Sequence, residues 1–505
     1  MRPDCSSYSD NVQAPEQMEV PMLADVVVSG GGPVGLMLAS ELALAKVRVC
    51  VLEQRLQRTE ESRALTLHSR SLEILDQRGI VDRFLRRGPR LPTGHFAVLD
   101  TRLDFSRLDT RHPYTLFLPQ AQTEELLEER ARELGVEIRR GHTVTGLTQS
   151  EEGVDVQIQG PDGEYSARAA YVVGCDGARS TVRRSIGVGF PGTDATLSAF
   201  LGDVELARPP SGPFSQANPR GIVLMAPLGG GVYRFVVIDP TRTHVDRSSP
   251  VTLDELQTSV SRITGVDCGM SNPRWLSRFG NATRLAERYR SGRVLLAGDA
   301  AHIHFPAGGQ GLNVGLQDAM NLGFKLAAVV KGWAPPHLLD SYHDERHAVG
   351  RALARNTEAQ LKLMMDFSEP GMALRSLFGE LLSTEPANRL LAEQICALDV
   401  AYPAAPHASR HAWAGRRVPT SRSRSGKREA LVRAAPPGSV RLARPPGERR
   451  ASGRRQRGVG RPRRCGAGDG HRHAQRYRLH RRAPREAGRA RRLGERRHRP
   501  CDVHG

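Results

Sequence analysis

The sequence has few cysteines, none of them in a metal-binding arrangement, and no long apolar segment. Its seven cysteines are scattered and form no Cys-x-x-Cys pair, which argues against a disulfide framework and a metal site. No apolar run approaches the roughly 20 residues that span a bilayer. The first residues also lack the apolar core of a secretion signal. We therefore predict a cytoplasmic protein with no membrane partner and no bound metal.

Lysine is also scarce, with 5 lysines against 68 arginines, and the basic charge is confined to one end of the chain. Residues 419–505 hold 27 basic and 6 acidic residues, whereas residues 1–418 hold 46 and 48. The formal net charge of +19 therefore belongs to the last 87 residues. That segment has only nine residues among Ile, Leu, Val, Met, Phe, Tyr and Trp, too few to offset the entropy of folding. We expect a disordered tail there and a disordered, proline-containing leader over residues 1–23.

A glycine-rich turn lies between two predicted strands near the start of the body. Residues 25–29 form an apolar run, residues 36–45 are typical of a helix, and residues 47–52 form a second strand that ends at Glu53. This pattern is the dinucleotide-binding fingerprint, in which glycines permit a tight turn and the helix start faces a pyrophosphate. The alternative is a purely structural glycine turn. The candidate contacts are Gly30, Gly32, Pro33, Val34, Gly35 and Glu53.

Two later segments repeat the order of strand, glycine turn and helix. Residues 172–183 place Asp176 after an apolar run, and residues 292–302 place Gly298 and Asp299 after another. A second glycine-rich loop over residues 306–313 then opens a helix that extends to about residue 330. Between the two segments, residues 200–280 alternate in short runs that predict an inserted antiparallel sheet.

These motifs in this order resemble the class A FAD-dependent aromatic hydroxylases. The matching sequences are GGGPVG with Glu53, CDGARSTVR at 175–183 and GDAAH at 298–302, and the resemblance covers about residues 24–418. It is greatest to the polyketide hydroxylase and rifampicin monooxygenase type. It implies an α/β fold with a Rossmann-like FAD-binding domain of the p-hydroxybenzoate hydroxylase (GR2) type and an inserted, mostly antiparallel substrate domain. The tryptophans stand alone, without the WxWxIP signature of flavin halogenases.

The resemblance also implies a division of the chain. The FAD-binding domain would comprise residues 24–97, 115–195 and 290–400, and the substrate domain residues 98–114 and 196–289. Residues 401–418 would be a linker. The substrate domain would cover an apolar pocket with Phe200, Met225, Phe235 and Ile238, although each of these side chains is individually more often ordinary core.

Roles for single residues follow from the same resemblance. The first glycine motif would hold the FAD pyrophosphate, Glu53 the adenosine ribose and Asp299 the ribityl hydroxyls. Arg63 would face FAD and the nicotinamide, and it is the one candidate for a catalytic role. His302 and His304 are expected to seat their loop rather than to catalyse. The remaining candidate cofactor contacts are Gln120, Val144, Asp176, Gly298, Pro306, Gly309, Gly311, Leu312 and Asn313.

The implied reaction is hydroxylation of an aromatic polyketide or a related phenol. NAD(P)H, with NADPH preferred, would reduce FAD, and O2 would then form a flavin C4a-hydroperoxide that transfers its hydroxyl group. Two alternatives stay open: Baeyer–Villiger oxygenation on the same scaffold, and a catalytically impaired FAD-binding protein. The resemblance leaves the oligomeric state as monomer or homodimer.

The arginine-rich tail stands where relatives of this type carry a thioredoxin-like domain. Arginine codons are favoured in GC-rich DNA, so a frameshift near residue 420 would produce such a composition. The alternative is a genuine basic tail that binds nucleic acid. Because the tail has a single aromatic residue, Tyr477, it lacks the stacking groups of a single-strand binder, and a nucleic-acid partner is disfavoured.

Overall fold

A computed structural model describes residues 20–403 and 414–417. The tail over residues 419–505, residues 1–19 of the predicted leader and most of the predicted linker lie outside the described residues. The predicted leader ends too late, because the first strand begins at Met22. Met22 pairs with Arg168 of the neighbouring strand. The backbone N–H of Arg168 also donates a hydrogen bond to the carbonyl oxygen of Pro21 (2.9 Å).

The described residues form runs of strands and helices, with the following bounds. The strands are β1 Met22–Ser29, β2 Val49–Glu53, β3 Thr66–Leu67, β4 Arg90–Leu91, β5 Thr93–Gly94, β6 Leu103–Asp104, β7 Thr115–Phe117, β8 Glu137–Arg140, β9 Thr143–Gln149, β10 Val154–Gly160, β11 Gly163–Gly174, β12 Gly192–Thr193, β13 Ser198–Leu206, β14 Phe214–Asn218, β15 Gly221–Gly229, β16 Val232–Ile238, β17 Met270–Gly280, β18 Thr283–Leu285, β19 Arg290–Ser291, β20 Val294–Leu296 and β21 His302–Ile303. The helices are α1 Pro33–Leu44, α2 Ser69–Gln77, α3 Val81–Leu85, α4 Gln120–Glu133, α5 Thr181–Ser185, α6 Leu253–Thr264, α7 Gly311–Val330, α8 Asp340–Met365, α9 Glu369–Leu382 and α10 Glu385–Ile395.

The central sheet has the order β19-β20-β11-β1-β2-β8, and β20, β11, β1, β2 and β8 run parallel. Strand β1, near the middle of the sheet, contains three consecutive valines, Val26, Val27 and Val28, which are fully buried, as expected when both faces are covered. Helices α1 and α7 pack against each other beside this sheet. The result is an α/β fold with several sheets.

A five-stranded antiparallel sheet of order β14-β15-β16-β13-β17 occupies the region where the sequence predicts one. The sequence did not predict the helix α6, which covers one face of this sheet. The sequence pattern that marks the start of α6 is Thr252-x-x-Glu255. The Thr252 hydroxyl accepts a hydrogen bond from the backbone N–H of Glu255 (3.1 Å). Gly265, with φ of 77°, ends the helix in the left-handed conformation.

The helices at the end of the predicted cofactor domain pack on the predicted substrate domain. Leu382 of α9 and Ile395 of α10 share an apolar cluster with Phe96, Phe105 and Ile238. In the part of the chain that the structure describes, no helix combines the length and apolarity that crossing a membrane requires.

Candidate functional site

The three glycine motifs meet at one edge of the central sheet. In the parallel register, Ser29 of β1 lies beside Gly174 of β11, and Gly174 lies beside Leu296 of β20. The loops that follow these strands are joined by backbone hydrogen bonds, from Cys175 to Ser29 (2.8 Å) and from Ala297 to Gly174 (3.0 Å). Because parallel strands end together, residues far apart in sequence form one crevice at the carboxyl edge, where open α/β sheets bind ligands.

The three glycines of the first motif face different surroundings. A Cβ on Gly30, whose φ is 105°, would lie 2.4 Å from the carbonyl oxygen of Cys175, and a Cβ on Gly35 would lie 2.0 Å from the carbonyl oxygen of Gly30. Both positions therefore need glycine for packing. A Cβ on Gly32 would meet no described atom within 4 Å. Gly32 precedes α1 without a side-chain cap, so the helix start offers N–H groups to an anion.

Glu53 at the end of β2 is seated on this first loop. Its carboxylate accepts hydrogen bonds from the backbone N–H groups of Gly31 (2.7 Å) and Arg55 (2.9 Å). An ionised carboxylate has further acceptor sites that could receive sugar hydroxyls. Val144, buried in β9, lies near the same strand end, since the His142 backbone N–H donates to the Glu53 carbonyl (3.0 Å).

Asp176 follows β11 and carries an unsatisfied oxygen. Its Oδ2 accepts a hydrogen bond from the Val182 backbone N–H at 3.1 Å. Its Oδ1 is buried and has no partner within residues 20–403 and 414–417. A buried carboxylate oxygen is normally hydrogen-bonded. This atom therefore fits a site in which an additional donor approaches the crevice.

Asp299 lies in a short 3₁₀ turn after β20, deep within the protein and yet accessible to solvent. Desolvation raises the pKa of its carboxyl, and the positive charges of His302 and Arg63 act in the opposite direction. The Arg63 side chain is exposed on the loop between β2 and β3.

Contacts from two sides hold the loop that carries Arg63. The Gln120 side-chain oxygen accepts from the Ala64 backbone N–H (3.2 Å). From the antiparallel sheet, buried Arg234 donates to the Ser62 carbonyl oxygen at 2.7 Å. Arg234 also forms a buried ion pair with Asp203. The sequence analysis did not detect this pair, because Asp203 lies in β13 and Arg234 in β16.

Asn313 fixes the glycine loop over residues 306–313. Its Oδ1 accepts from the His68 backbone N–H (2.8 Å), and its Nδ2 donates to the carbonyls of Thr66 (3.0 Å) and Gly309 (2.9 Å). The His68 ring also contacts the Gly308 carbonyl at 2.8 Å, and burial lowers its pKa to about 4. The Asn313 side chain and the His68 ring thus hold the loop in place.

The other predicted residues of this loop line its accessible side. Pro306 is exposed, whereas Gly309, Gly311 and Leu312 are half-buried at the start of α7. Gly309 has φ of 64°, and a Cβ there would lie 2.4 Å from the Thr66 hydroxyl oxygen. The position therefore favours glycine for both its conformation and its close packing.

A buried polar network lies behind the turn that carries Asp299. Asp318 of α7 accepts from the His302 ring (2.7 Å), from the Gly298 backbone N–H (3.2 Å) and from Arg346 of α8 (2.6 Å). Its pKa is lowered: burial opposes this, but Arg346 and His302 outweigh it. His302 therefore contacts a loop-fixing carboxylate, as expected for a seating role. The sequence analysis missed Asp318 and Arg346, although a lone acid among the apolar residues of α7 was a signal.

The predicted apolar roof is only partly correct. Phe200, Met225 and Phe235 pack in a cluster under α6, on the face of the sheet that is turned away from the cluster containing Ile238. A strand exposes alternate residues on opposite faces, and the sequence did not show which face α6 would cover.

The face that carries Ile238 adjoins the glycine loop. Ala217, Leu224 and Phe279 are half-buried there. Phe279 contacts Phe305, with ring centroids 5.8 Å apart, and Phe305 immediately precedes Pro306. An apolar wall therefore stands beside the cofactor-type crevice.

Comparison with known proteins identifies what this arrangement resembles. Residues 23–357 match the family described as FAD binding domain. The chain is 56% identical over 385 residues to an uncharacterized aromatic compound monooxygenase of Bacillus subtilis (76% of this chain, 77% of the relative). It is 51% identical over 390 residues to rifampicin monooxygenase of Streptomyces venezuelae (75% and 79%). The solved anhydrotetracycline hydroxylase of Streptomyces rimosus matches with a TM-score of 0.74 and 47% identity (81% and 82%).

Proposed function

The chain belongs to the FAD-binding family of aromatic monooxygenases, and we propose that it uses NAD(P)H and O2 to hydroxylate a polycyclic aromatic compound of the polyketide type. The FAD-dependent monooxygenase activity follows from membership of the family. The substrate class is proposed because relatives named for rifampicin and anhydrotetracycline cover three quarters or more of the chain. We also propose a Rossmann-like GR2 fold for the cofactor domain.

The crevice at the carboxyl edge of the central sheet fits FAD. The open side of Gly32 and the helix start behind it suit a pyrophosphate. The unsatisfied Oδ1 of Asp176 and the accessible carboxylates of Glu53 and Asp299 suit the hydroxyl groups of the cofactor's sugar and ribityl chain. We propose that the backbone near Val144 meets the adenine and that the loop ending at Asn313 meets the flavin ring.

FAD, when bound, supplies electron transfer from NAD(P)H and the activation of O2. The protein's part is position and environment. The start of α7 presents backbone N–H groups and a positive dipole end, which favour negative charge beside the loop over residues 306–313. The positive charge of Arg63 acts to lower the pKa of the Asp299 carboxyl, against the larger effect of burial. The apolar wall around Phe279 and Phe305 excludes water and gives a flat aromatic substrate a surface to lie against.

The observation that carries this proposal is the convergence of the glycine motifs at the carboxyl edge of the central sheet, where Gly32 has an open side and Asp176 Oδ1 has no partner among the described residues. The test uses purified protein loaded with FAD. NADPH oxidation should increase when an aromatic polyketide aglycone is added, and the product should gain about 16 mass units with its rings intact. A gain of one oxygen with an expanded ring would indicate Baeyer–Villiger chemistry, and bound FAD that NADPH and NADH both fail to reduce would contradict the proposal.

Four further features remain predictions. NADPH is expected to be preferred over NADH, which the ratio of kcat/KM for the two nucleotides would measure. The chain is expected to act as a monomer or homodimer in the cytoplasm, and a nucleic-acid partner is not expected.

A further inference from the structure

Two short segments that follow the last helix pair with each other. Tyr402 donates its backbone N–H to the carbonyl of Gly415 (2.8 Å), and Ala401 forms a β-bridge with Arg416. Gly415 has φ of 74°, and a Cβ there would lie 2.1 Å from the Tyr402 carbonyl oxygen, so this close pairing requires glycine. We call residues 401–402 and 415–417 the C-terminal strap. The sequence analysis treated them only as linker.

One end of the C-terminal strap reaches the network behind Asp299. The Arg346 guanidinium, which is fully buried, donates from Nη1 to the Tyr402 hydroxyl oxygen at 3.1 Å. The same guanidinium donates to Asp318 (2.6 Å) and to the Val314 carbonyl (3.1 Å). Asp318 in turn accepts from the backbone N–H of Gly298, the residue before Asp299. A chain of three hydrogen bonds therefore links the Tyr402 hydroxyl to the Asp299 turn.

The other end of the C-terminal strap reaches α2. Arg417 donates to the Glu73 carboxylate (3.4 Å) and to the carbonyl of Asp109. Helix α2 begins directly after His68, whose backbone N–H binds the Asn313 side chain. The second end thus anchors the helix whose start holds the glycine loop. The C-terminal strap therefore contacts the supports of both loops that we assign to FAD, through Tyr402 at one end and Arg417 at the other.

We infer that the C-terminal strap positions the FAD-binding loops, with Tyr402 acting on the Asp299 turn and Arg417 on the glycine loop through α2. This inference rests on the proposed function. Without the Tyr402 hydroxyl, one N–H of buried Arg346 has no acceptor. The guanidinium then shifts towards other partners, and Asp318 holds Gly298 less firmly. Tyr402 is a positioning residue, since it acts on the cofactor site only through Arg346 and Asp318.

The test compares Tyr402→Phe with Tyr233→Phe in the full chain. Tyr233 is a half-buried tyrosine of β16, and its hydroxyl has no hydrogen-bond partner in the described part of the chain. We expect Tyr402→Phe to raise the FAD dissociation constant about fivefold, as the loss of one hydrogen bond predicts. At saturating FAD the visible circular dichroism of the bound flavin should also change. Tyr233→Phe should change neither.

A second pair of variants tests the other anchor. Arg417→Gln removes the contact with Glu73, whereas Arg416→Gln alters an exposed neighbour in the same strap. Arg417→Gln should weaken FAD binding by about twofold to threefold, and Arg416→Gln should not. An unchanged dissociation constant and flavin spectrum in Tyr402→Phe would overturn the inference, even if the variant melts at a lower temperature. Failure of the unmodified protein to bind FAD would instead overturn the proposed function.

Discussion

The edge of the central sheet and the antiparallel sheet are stabilised by different interactions. Behind the glycine loops, the fully buried Asp318 and Arg346 join His302 in a network of charges and hydrogen bonds. Under α6, the antiparallel sheet is held by apolar side chains such as Phe200 and Phe235. Hydrogen bonds are directional and fix the position of a loop, whereas apolar packing mainly fixes volume.

This difference suits the tasks that we assign to the two regions. A cofactor site must hold its loops within a fraction of an ångström, and buried polar networks supply that rigidity. A substrate wall must mainly provide a dry surface of the right shape. The antiparallel sheet also contains buried ion pairs. Arg278 of β17 pairs with Glu255 of α6, and Asp203 pairs with Arg234, whose contact with Ser62 is directed at the cofactor side.

The largest expected effect is on the buried network. Asp318→Ala leaves the Arg346 charge buried without its carboxylate, which should cost about 3–5 kcal/mol of stability and abolish FAD binding. Urea unfolding and the flavin content of the purified variant measure both. The matched change is Asp194→Ala, which removes the carboxylate of an exposed pair with Arg284 and should cost less than about 1 kcal/mol. Similar losses in the two variants would remove the distinction between the regions.

A smaller effect is expected from pH. The unfolded chain protonates His68 with a pKa near 6.5, but in the folded protein burial lowers this pKa to about 4. The unfolded state therefore binds more protons between pH 4 and 6.5, and stability falls as the pH falls through that window. His68→Gln should reduce this slope by up to about 1.4 kcal/mol per pH unit.

The control for this prediction is His337→Gln, because His337 is exposed. Unfolding by urea at several pH values gives the slope for each variant. An identical slope in His68→Gln and the unmodified protein would mean that the ring is not buried in its neutral form.

The smallest effect is expected in the antiparallel sheet. Phe235→Leu removes part of a fully buried ring under α6, and it should cost about 1 kcal/mol of stability. Its FAD dissociation constant should match that of the unmodified protein, because the side chain faces away from the crevice. Fluorescence titration measures this, and a weakened affinity would show that the two regions are coupled through the sheet.

The sequence predicted those features that depend on neighbouring residues. The order of strand, glycine turn and helix around residues 30–35 is local, and so is the alternation that indicates the antiparallel strands. The contacts of Arg346 were not predictable, because Asp318 and Tyr402 lie 28 and 56 positions away. A polar residue on a helix usually faces solvent, so the periodicity of α8 could not reveal a buried charge. The side of the sheet that faces the crevice also depends on where α6 packs.

The most direct test of the account is the FAD affinity of Gly32→Ala beside that of Gly212→Ala. Neither new methyl group would meet a described atom within 4 Å, so each apoprotein should lose less than about 1 kcal/mol of stability. If the open side of Gly32 receives the FAD pyrophosphate, its variant should bind FAD at least about tenfold more weakly, while Gly212→Ala binds normally. Equal FAD affinity in Gly32→Ala and the unmodified protein would contradict the central claim that this crevice holds the cofactor.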